Sequence, residues 1–137
     1  MKFYIFFVIF ICMQVKEMMS RPHIIEKDIN LVDAAKIMSQ KRIGSLIFVF
    51  RNKAKGIITE SDLVKNFGKH KRISSIMSKN IISIAPEETV DEALRIMNEN
   101  KIKRLPVVDG NKRLVGLITL IDIAANVDKL DGEFFFN

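Results

Sequence analysis

Cysteine and histidine are scarce in this chain of 137 residues, which limits the chemistry that it can carry. The single cysteine, Cys12, allows no disulfide within the chain, so we expect a reducing, cytoplasmic environment. The two histidines, His23 and His70, lack the spacing of zinc ligands and have no evident nucleophile or acidic partner. No glycine-rich phosphate loop of the Walker type occurs either. The sequence therefore predicts no enzyme, no metal site and no cofactor.

Aromatic residues are scarce in the middle of the chain. There is no tryptophan and one tyrosine, and seven of the ten phenylalanines lie close to the two ends. This leaves no obvious platform on which the bases of a single strand would stack. The formal charge of +6, from 22 Lys and Arg against 16 Asp and Glu, nevertheless predicts an anionic partner. Nucleic acid therefore remains an alternative partner, although no recognised nucleic-acid motif accompanies the charge.

Long hydrophobic runs are also lacking, with one short exception at the start of the chain. Residues 3–13 read FYIFFVIFICM, and eleven residues fall well short of the roughly 20 that a membrane-spanning helix needs. No small-x-small cleavage signal follows the run. A terminal strand or helix over an interface, an upstream extension, a membrane anchor and a cleaved leader all stay open, and the first two are favoured. We treat residues 1–14 as an apolar extension.

What the chain does contain is an internal repeat with a period of about sixty residues. The phrase GIITESDL at 56–63 returns as GLITLIDI at 116–123, and residues 31–49 match residues 90–108. Halves of this size bury little core alone, so we expect them to pack on each other through their sheets. The predicted division is an extension at 1–14, a first copy at 15–68, a basic linker at 69–72, a second copy at 73–130 and a tail at 131–137.

Each copy shows the same order of predicted elements. Apolar residues at i, i+3, i+4 and i+7 predict an amphipathic helix from Leu31 and another from Val90. A hairpin of two apolar strands follows each helix, and Asp109-Gly110 is a strong turn signal in the second hairpin. Second helices begin near Ser61 and Ile121. The predicted fold class is α/β (α+β), with two pseudo-twofold-related β-α-β-β-α copies.

The order MMSRP, LVDAAKIM, IGSLIFV, GIITESDL, echoed by IMSKN, VDEALRIM, IKRLPVVDG, GLITLIDI, resembles a tandem pair of cystathionine-β-synthase-type (CBS) domains, a Bateman module. The resemblance extends from about residue 15 to residue 128. It implies a regulatory module that binds AMP, ADP, ATP or a related adenosyl compound in clefts between the repeats. It also implies a homodimer, formed through helical faces, that passes ligand status to an effector protein.

The resemblance implies that the threonine and aspartate of each terminal phrase contact the ligand's ribose and phosphate. These residues are Thr59 and Asp62 in the first copy and Thr119 and Asp122 in the second. The same Thr-x-x-Asp spacing is also a capping-box pattern at the start of a helix. Both interpretations stay open, and both roles can coexist.

A basic pair makes the two copies unequal. The stretch IKRLPVV places Lys103 and Arg104 where phosphate-binding relatives often carry a basic pair, and it supplies Pro106 as a further predicted ligand contact. The first copy has Gly44 and Ser45 at the positions of the basic pair. By resemblance, one cleft combines Asp62 with Lys103 and Arg104 for a phosphate-bearing ligand. The Asp122 cleft is then expected to be weaker, empty or selective for a less charged ligand. A solvated surface pair is the alternative.

Overall fold

The computed structural model describes the backbone of residues 2–135 and the side chains of residues 2–127 other than Phe3 and Phe6. The fold is mixed α+β, as predicted from the sequence. Its elements in chain order are α1 (Lys2–Cys12), α2 (Val15–Met18), β1 (Ile24–Ile25), α3 (Leu31–Lys41), β2 (Ser45–Phe50), β3 (Lys53–Thr59), α4 (Glu60–Lys65), α5 (Ile73–Ile76), α6 (Val90–Asn100), β4 (Arg104–Val108), β5 (Leu114–Thr119) and α7 (Leu120–Phe135).

The chain divides into two compact units. The central unit is Pro22–Ile81, and the terminal unit joins the residues up to Arg21 with those from Ile82 onward. The predicted copies at 15–68 and 73–130 differ from these units at their starts. Residues 15–21 open the first copy but belong to the terminal unit, and residues 73–81 open the second copy but belong to the central unit. The sequence also led us to expect that the apolar tail at 131–137, including Phe134, Phe135 and Phe136, contributes to the dimer contact or to a partner's. These side chains lie outside the described residues.

The central unit contains a sheet of three strands in the order β1, β2, β3. Strand β1 pairs with β2 in parallel, and β2 pairs with β3 in an antiparallel hairpin. Helix α3 covers this sheet with the apolar stripe predicted from the sequence. A cluster of buried residues in this unit consists of Leu31, Ala34, Met38, Leu46, Ile58 and Ile73.

The terminal unit repeats this plan with one strand fewer. Strands β4 and β5 form the hairpin, and the strand expected before α6 is reduced to a parallel bridge between Ile84 and Val107. The hairpin turn is closed by the Asp109 carboxylate, whose Oδ1 accepts the N–H groups of Asn111 and Arg113 at 2.9 Å each. The positive φ in this turn falls at Lys112 (61°) instead of Gly110. The Asp-Gly signal thus predicted the hairpin correctly but not the residue in the left-handed region.

The helices α3 and α6 begin and end in the same way. Asn30 caps α3 by accepting the Asp33 N–H at 2.9 Å, and Thr89 caps α6 by accepting the Glu92 N–H at 3.1 Å. Each helix ends in a left-handed residue that is not glycine, Arg42 (φ 53°) and Lys101 (φ 54°). The backbone therefore preserves the repeat at positions where the sequence varies.

The apolar run at the start of the chain forms helix α1. The helix contacts α6 and α7, and Phe10 is buried in the core of the terminal unit. A terminal helix was one of the favoured alternatives from the sequence. Within the part of the chain that the structure describes, no helix is long and apolar enough to cross a membrane.

The exchanged segments are joined to the hairpins by paired backbone hydrogen bonds. Ser20 and Leu117 exchange two bonds of 2.8 and 2.9 Å in the terminal unit. Ser78 and Ile57 exchange two bonds of 3.0 Å in the central unit. The segment that opens each sequence copy therefore adds to the hairpin of the other copy.

A glycine beside each of these bridges gives room to a methionine. A Cβ atom at Gly56 would overlap Sδ of Met77 and lie 2.7 Å from its Cγ. A Cβ atom at Gly116 would lie 2.5 Å from Sδ of Met19 and 3.0 Å from its Cγ. Since packed carbon and sulfur atoms do not approach this closely, the methionine side chains occupy space that only glycine leaves open.

We expect Gly56→Ala and Gly116→Ala each to lower the free energy of unfolding by about 1–3 kcal/mol, because the methionine must move out of a packed position. Gly110→Ala is the matched control, since its added Cβ has no atom within 4 Å. Urea denaturation of the three variants measures the difference. Equal stability of all three would mean that the methionines move aside without cost.

An acidic side chain fastens the basic linker to the loop before α3. The Asp28 carboxylate accepts the Ser74 hydroxyl at 2.7 Å, the Ser74 N–H at 3.1 Å and the Arg72 Nε–H at 3.1 Å. The Arg72 guanidinium also donates to the Asp28 carbonyl oxygen. The hydrogen bond from the Ser74 side chain is the largest cause that holds the pKa of Asp28 below its ordinary value. The last residue of the predicted linker is therefore anchored, whereas Lys69, His70 and Lys71 are exposed.

Asp28→Asn should therefore destabilise the fold by about 1 kcal/mol at pH 7, a modest loss because 33% of the Asp28 side chain remains exposed to water. A lowered pKa in the folded state stabilises the fold above the pKa of the unfolded chain. The wild type should lose this contribution as the pH falls below about 4. Urea denaturation at pH 7 and pH 3 tests this, with Glu26→Gln as an exposed control. A gap between wild type and Asp28→Asn that does not narrow at pH 3 would contradict it.

Candidate functional site

The two Thr-Asp phrases lie at corresponding junctions between a strand and a helix. Thr59 is the last residue of β3, and Asp62 lies in the first turn of α4. Thr119 is the last residue of β5, and Asp122 lies in the first turn of α7. All four residues are half-buried. The repeat in the sequence thus produces the same local structure in both units.

Hydrogen bonds fix both carboxylates in nearly the same position. The Thr59 N–H donates to Asp62 Oδ2 at 2.8 Å, and the Thr59 hydroxyl donates to the same oxygen at 3.1 Å. The corresponding distances from Thr119 to Asp122 Oδ2 are 3.0 and 2.9 Å. In addition, the Asp122 N–H donates to Thr119 Oγ1 at 3.1 Å. The capping interpretation of the Thr-x-x-Asp spacing is therefore confirmed.

These bonds use one oxygen of each carboxylate. Among the side chains that the structure describes, Oδ1 of Asp62 and Oδ1 of Asp122 have no hydrogen-bond partner. An ionised carboxylate accepts hydrogen bonds at both oxygens, so Oδ1 can accept a ligand hydroxyl while Oδ2 caps the helix. Capping and ligand binding are chemically compatible at both junctions.

In the terminal unit, the basic pair adjoins the Thr119 junction. The Leu120 N–H donates to the Lys103 carbonyl oxygen at 3.0 Å. Arg104 lies directly opposite Thr119 in the ladder between β4 and β5. Lys103 is exposed and Arg104 is half-buried. The structure therefore brings Lys103 and Arg104 to the same edge of this unit as Asp122.

In the central unit, the corresponding positions are uncharged. The Glu60 N–H donates to the Gly44 carbonyl oxygen at 3.2 Å, and Ser45 lies opposite Thr59 in the ladder. Ser45 is buried, with 5% of its surface exposed. The charge difference between the copies thus arises from different side chains at equivalent backbone positions. The predicted joint use of Asp62 with Lys103 and Arg104 concerns residues of two units and stays a prediction.

Pro106, the remaining predicted contact, lies in the middle of β4. It is buried opposite Leu117, and its carbonyl oxygen accepts the Ile84 N–H at 3.0 Å. This position supports the hairpin of the terminal unit, and the ligand role of Pro106 stays a prediction. Among the side chains that the structure describes, no group of three or more His, Cys, Asp or Glu could hold a metal ion.

A family comparison identifies the repeated fold. The model of the CBS domain matches residues 15–69 and again residues 73–129. The chain belongs to the CBS domain family. Its two tandem matches make it a CBS pair, in agreement with the resemblance inferred from the sequence.

Curated relatives of the CBS pair include parts of larger enzymes. Inosine-5'-monophosphate dehydrogenase of Nitrosopumilus maritimus is 36% identical over 112 residues, which are 81% of this chain and 23% of that protein. L-aspartate semialdehyde sulfurtransferase of Methanocaldococcus jannaschii is 36% identical over 113 residues, which are 80% of this chain and 22% of that protein. The chain thus spans less than a quarter of the length of these two relatives.

Among solved structures, the CBS domain pair of protein MJ0100 in complex with 5'-methylthioadenosine and S-adenosyl-L-methionine is similar at a TM-score of 0.79 and 33% identity. The match covers 86% of this chain and 98% of that one. CBSX2 in complex with AMP matches at a TM-score of 0.76 and 21% identity, over 86% of this chain and 98% of that one, a likeness of fold alone.

The structure adds Ser20 to the site of the terminal unit, a residue that the sequence did not single out. Its hydroxyl lies 3.4 Å from Asp122 Oδ2 and 3.3 Å from the Leu117 carbonyl oxygen. A signal existed, because the Met-Ser pair of MMSRP returns in IMSKN at a shift of 58 residues. The repeat therefore marked Ser20 in the sequence, but it did not indicate whether Ser20 lies near Asp62 or near Asp122.

Two asparagines also belong to the junctions. Nδ2 of Asn66 donates to the Asp62 carbonyl oxygen, and Nδ2 of Asn126 donates to the Asp122 carbonyl oxygen, both at 2.8 Å. Each asparagine follows its aspartate by four residues, and this spacing occurs in both copies. The asparagines tie the aspartate backbone to the next helical turn.

We expect Thr119→Val to destabilise the CBS pair by roughly 1 kcal/mol and Thr59→Val by less, because the Thr119 hydroxyl both donates to and accepts from Asp122. Thr119→Ser and Thr59→Ser keep the hydroxyl and serve as controls. Urea denaturation measures all four. If the valine variants are as stable as the serine variants, the hydroxyls do not contribute to capping.

Proposed function

We propose that the CBS pair is a regulatory module, not an enzyme, that binds AMP, ADP, ATP or a related adenosyl ligand and passes its occupancy to an effector protein. The observation that carries this proposal is the pair of aspartates, Asp62 and Asp122, each held by a helix start with Oδ1 unoccupied. The similarity to a CBS pair that binds two adenosyl compounds supports the same ligand class.

Ribose is the part of the ligand that these aspartates suit. Its two adjacent hydroxyls can both donate to one ionised carboxylate, and hydrogen bonds to charged acceptors are stronger than neutral ones. Because Thr59 and Thr119 already orient the carboxylates, little side-chain freedom is lost when the ligand binds.

Charge is the feature that distinguishes the two sites. In our proposal Lys103 and Arg104 bind the ligand's phosphate in the cleft that uses Asp62 for ribose, as the resemblance implies. The cleft that uses Asp122 then prefers a less charged adenosyl compound or binds weakly. The backbone contact of Lys103 with the Thr119 junction motivates the rival assignment, in which the basic pair serves Asp122. The two assignments predict opposite effects of mutating the aspartates.

Signalling requires that the ligand bind one conformation or assembly better than another. The shift in population cannot exceed that difference in affinity. We propose that the two states differ in how a homodimer of the CBS pair presents its surface to the effector. Ligand affinity should then depend on the presence of the effector, and effector affinity on the ligand by the same factor.

Isothermal titration calorimetry with AMP, ATP, S-adenosyl-L-methionine and 5'-methylthioadenosine tests the proposal. We expect micromolar binding of a phosphate-bearing ligand and a loss of about tenfold or more in Asp62→Asn, because a neutral amide is a weaker and less versatile acceptor. Asp122→Asn should leave this binding largely unchanged. Asn keeps an oxygen for the threonine N–H, so the helix start is retained.

The basic pair is tested in the same titrations. Lys103→Ala with Arg104→Ala should weaken the phosphate-bearing ligands more than 5'-methylthioadenosine, which has no phosphate. Lys112→Ala with Arg113→Ala removes the same charge from the exposed turn of the terminal unit and is the matched control. Loss of AMP binding in Asp122→Asn but not in Asp62→Asn would reverse the assignment. No heat with any ligand, together with salt-sensitive binding of an oligonucleotide, would favour nucleic acid instead.

A further inference from the structure

The positive charge of the chain is confined to one of its two units. The central unit, Pro22–Ile81, contains twelve Lys and Arg against five Asp and Glu, a formal charge of +7. The terminal unit contains ten against eleven, a formal charge of −1. All twelve cationic side chains of the central unit are exposed. An anionic partner is therefore attracted to the central unit.

Three segments with exposed cations meet at one end of the central unit. Strand β1 runs parallel to β2, so the chain after Ile25 continues towards the Phe50 end of β2, where the hairpin turns. The basic linker is joined to the same stretch, because the Leu31 N–H donates to the Lys71 carbonyl oxygen at 3.0 Å. The exposed cations of these segments, which we call the basic end, are Lys27, Arg51, Lys53, Lys69, Lys71 and Arg72. The acidic side chains of the same segments are Glu26 and Asp28, and Asp28 is paired with Arg72.

Two exposed phenylalanines adjoin these cations. The sequence alone showed no obvious platform for stacking, because seven of the ten phenylalanines lie close to the ends of the chain. Of the three that remain, Phe50 is 53% exposed and Phe67 is 89% exposed. The guanidinium carbon of Arg51 lies 5.2 Å from the centroid of the Phe50 ring. Phe67 stands two residues before Lys69 in the chain. The central unit thus combines exposed rings with exposed cations.

The internal repeat shows that the fold does not require these rings. The terminal unit has Asp109 at the position equivalent to Phe50, and Asp109 closes the turn of its hairpin. Val127 is equivalent to Phe67 and is half-buried. The same hairpin and helix start therefore form without an exposed ring at either position. The rings and the cations are features that distinguish the central unit from its repeat.

We propose that the basic end of the central unit binds single-stranded nucleic acid, with bases stacked on Phe50 and Phe67 and phosphates bound by the neighbouring cations. Proteins that bind single strands without sequence preference combine a positively charged surface with aromatic side chains on which the bases stack. The basic end provides the charge, and the two exposed rings provide the stacking surfaces. Every base has an aromatic face, so this kind of binding requires no recognised sequence motif.

A duplex or a membrane fits these residues less well. The bases of a duplex are stacked on one another, so a duplex would use the cations and leave the rings without a role. Binding at a membrane interface uses a contiguous apolar face. Phe50 is followed by Arg51 and lies opposite Lys53 in the hairpin, so its ring is flanked by charge. A single strand is the partner that uses both the rings and the cations.

The basic end is separate from the proposed adenosyl site. Strand β2 runs from Ser45, which lies opposite Thr59, to Phe50 beside the hairpin turn, a distance of about 17 Å. Asp62 therefore lies at one end of the hairpin and the basic end at the other. Changes at the basic end should leave titrations with adenosyl ligands unchanged, so either proposal can fail without the other.

Fluorescence anisotropy of the full chain with a labelled oligothymidylate of about 20 nucleotides tests the charge. We expect the affinity to fall about 20- to 50-fold between about 50 and 200 mM salt, as three or four phosphate contacts to a single strand predict. Lys69→Ala with Lys71→Ala should flatten the slope of log K against log salt by about 1.4. The matched control, Lys112→Ala with Arg113→Ala, removes the same charge from the terminal unit and should leave the slope nearly unchanged.

Replacing the rings tests stacking. Phe50→Ala and Phe67→Ala should each weaken oligothymidylate binding about fivefold or more, since each removes a stacked base contact. Tyr4→Ala removes a 72% exposed ring from the terminal unit and is the control, expected to bind as the wild type does. Because these side chains are largely exposed, the fold should persist, which circular dichroism checks.

Tryptophan gives a direct signal of stacking, since the chain has none of its own. Phe50→Trp and Phe67→Trp should keep the affinity, and a stacked base should quench the indole fluorescence. Tyr4→Trp should show no quenching. Equal affinity for a duplex, with full affinity in both alanine variants, would mean that phosphates alone are bound and would overturn the proposal. Absence of oligothymidylate binding at about 50 mM salt would also overturn it, as would equally tight binding of polyglutamate or of phosphatidylserine vesicles.

Discussion

The structure depends on a close approach between two segments that are far apart in sequence. In each unit the residues that follow a short helix pair with a return strand, through Ser20 with Leu117 and through Ser78 with Ile57. The approach is possible because the adjoining strand residue, Gly116 or Gly56, has no Cβ where a methionine packs. Glycine in a strand usually weakens it, and here it marks the point where another segment comes closest. The strand ends, and with them both Thr-Asp junctions, are positioned by this contact.

The sequence predicted the parts of the fold that depend on local periodicity. The helices beginning at Leu31 and Val90, both hairpins and the helix starts after Thr59 and Thr119 are confirmed, since each follows from the spacing of apolar residues or from a capping pattern. The exchange of segments between the copies was not predicted. A repeat shows which segments are equivalent, but two equivalent partners give no local signal of which one a segment joins.

The geometry of the candidate site was predictable to the same degree, and its role in binding stays a prediction. Asp62 and Asp122 were found because Thr-x-x-Asp recurs, and their capping bonds could be anticipated from that spacing. Ser20 was missed, because its approach to Asp122 arises from a bridge across 97 residues of sequence. The basic pair was singled out because it stands where phosphate-binding relatives often carry one, while its neighbour in space depends on strand register. Patterns within a few residues therefore identified the candidate residues, and pairing between distant segments determines which of them lie close together.

Helix capping and ligand recognition place compatible demands on the same side chain. The cap needs one oxygen of the aspartate in a fixed position, and the fixed position presents the other oxygen. An aspartate fixed by the cap therefore already has an orientation that suits the ribose hydroxyls in our proposal, in either copy. The difference between the copies then lies in their neighbours, such as Lys103 and Arg104 against Gly44 and Ser45.

The terminal unit combines the residues up to Arg21 with those from Ile82 onward, so it assembles only after the central unit has been synthesised. Helix α1 and the Met19-Ser20 segment leave the ribosome before the central unit of about 60 residues, Pro22–Ile81, and their partners lie beyond it. At 5–20 residues per second that interval is at least about 3–12 s. The central unit itself lacks no segment by then, since α5 follows β3 and α4 within the same stretch of chain. The apolar helix α1 is therefore synthesised well before α6 and α7, the helices against which it packs.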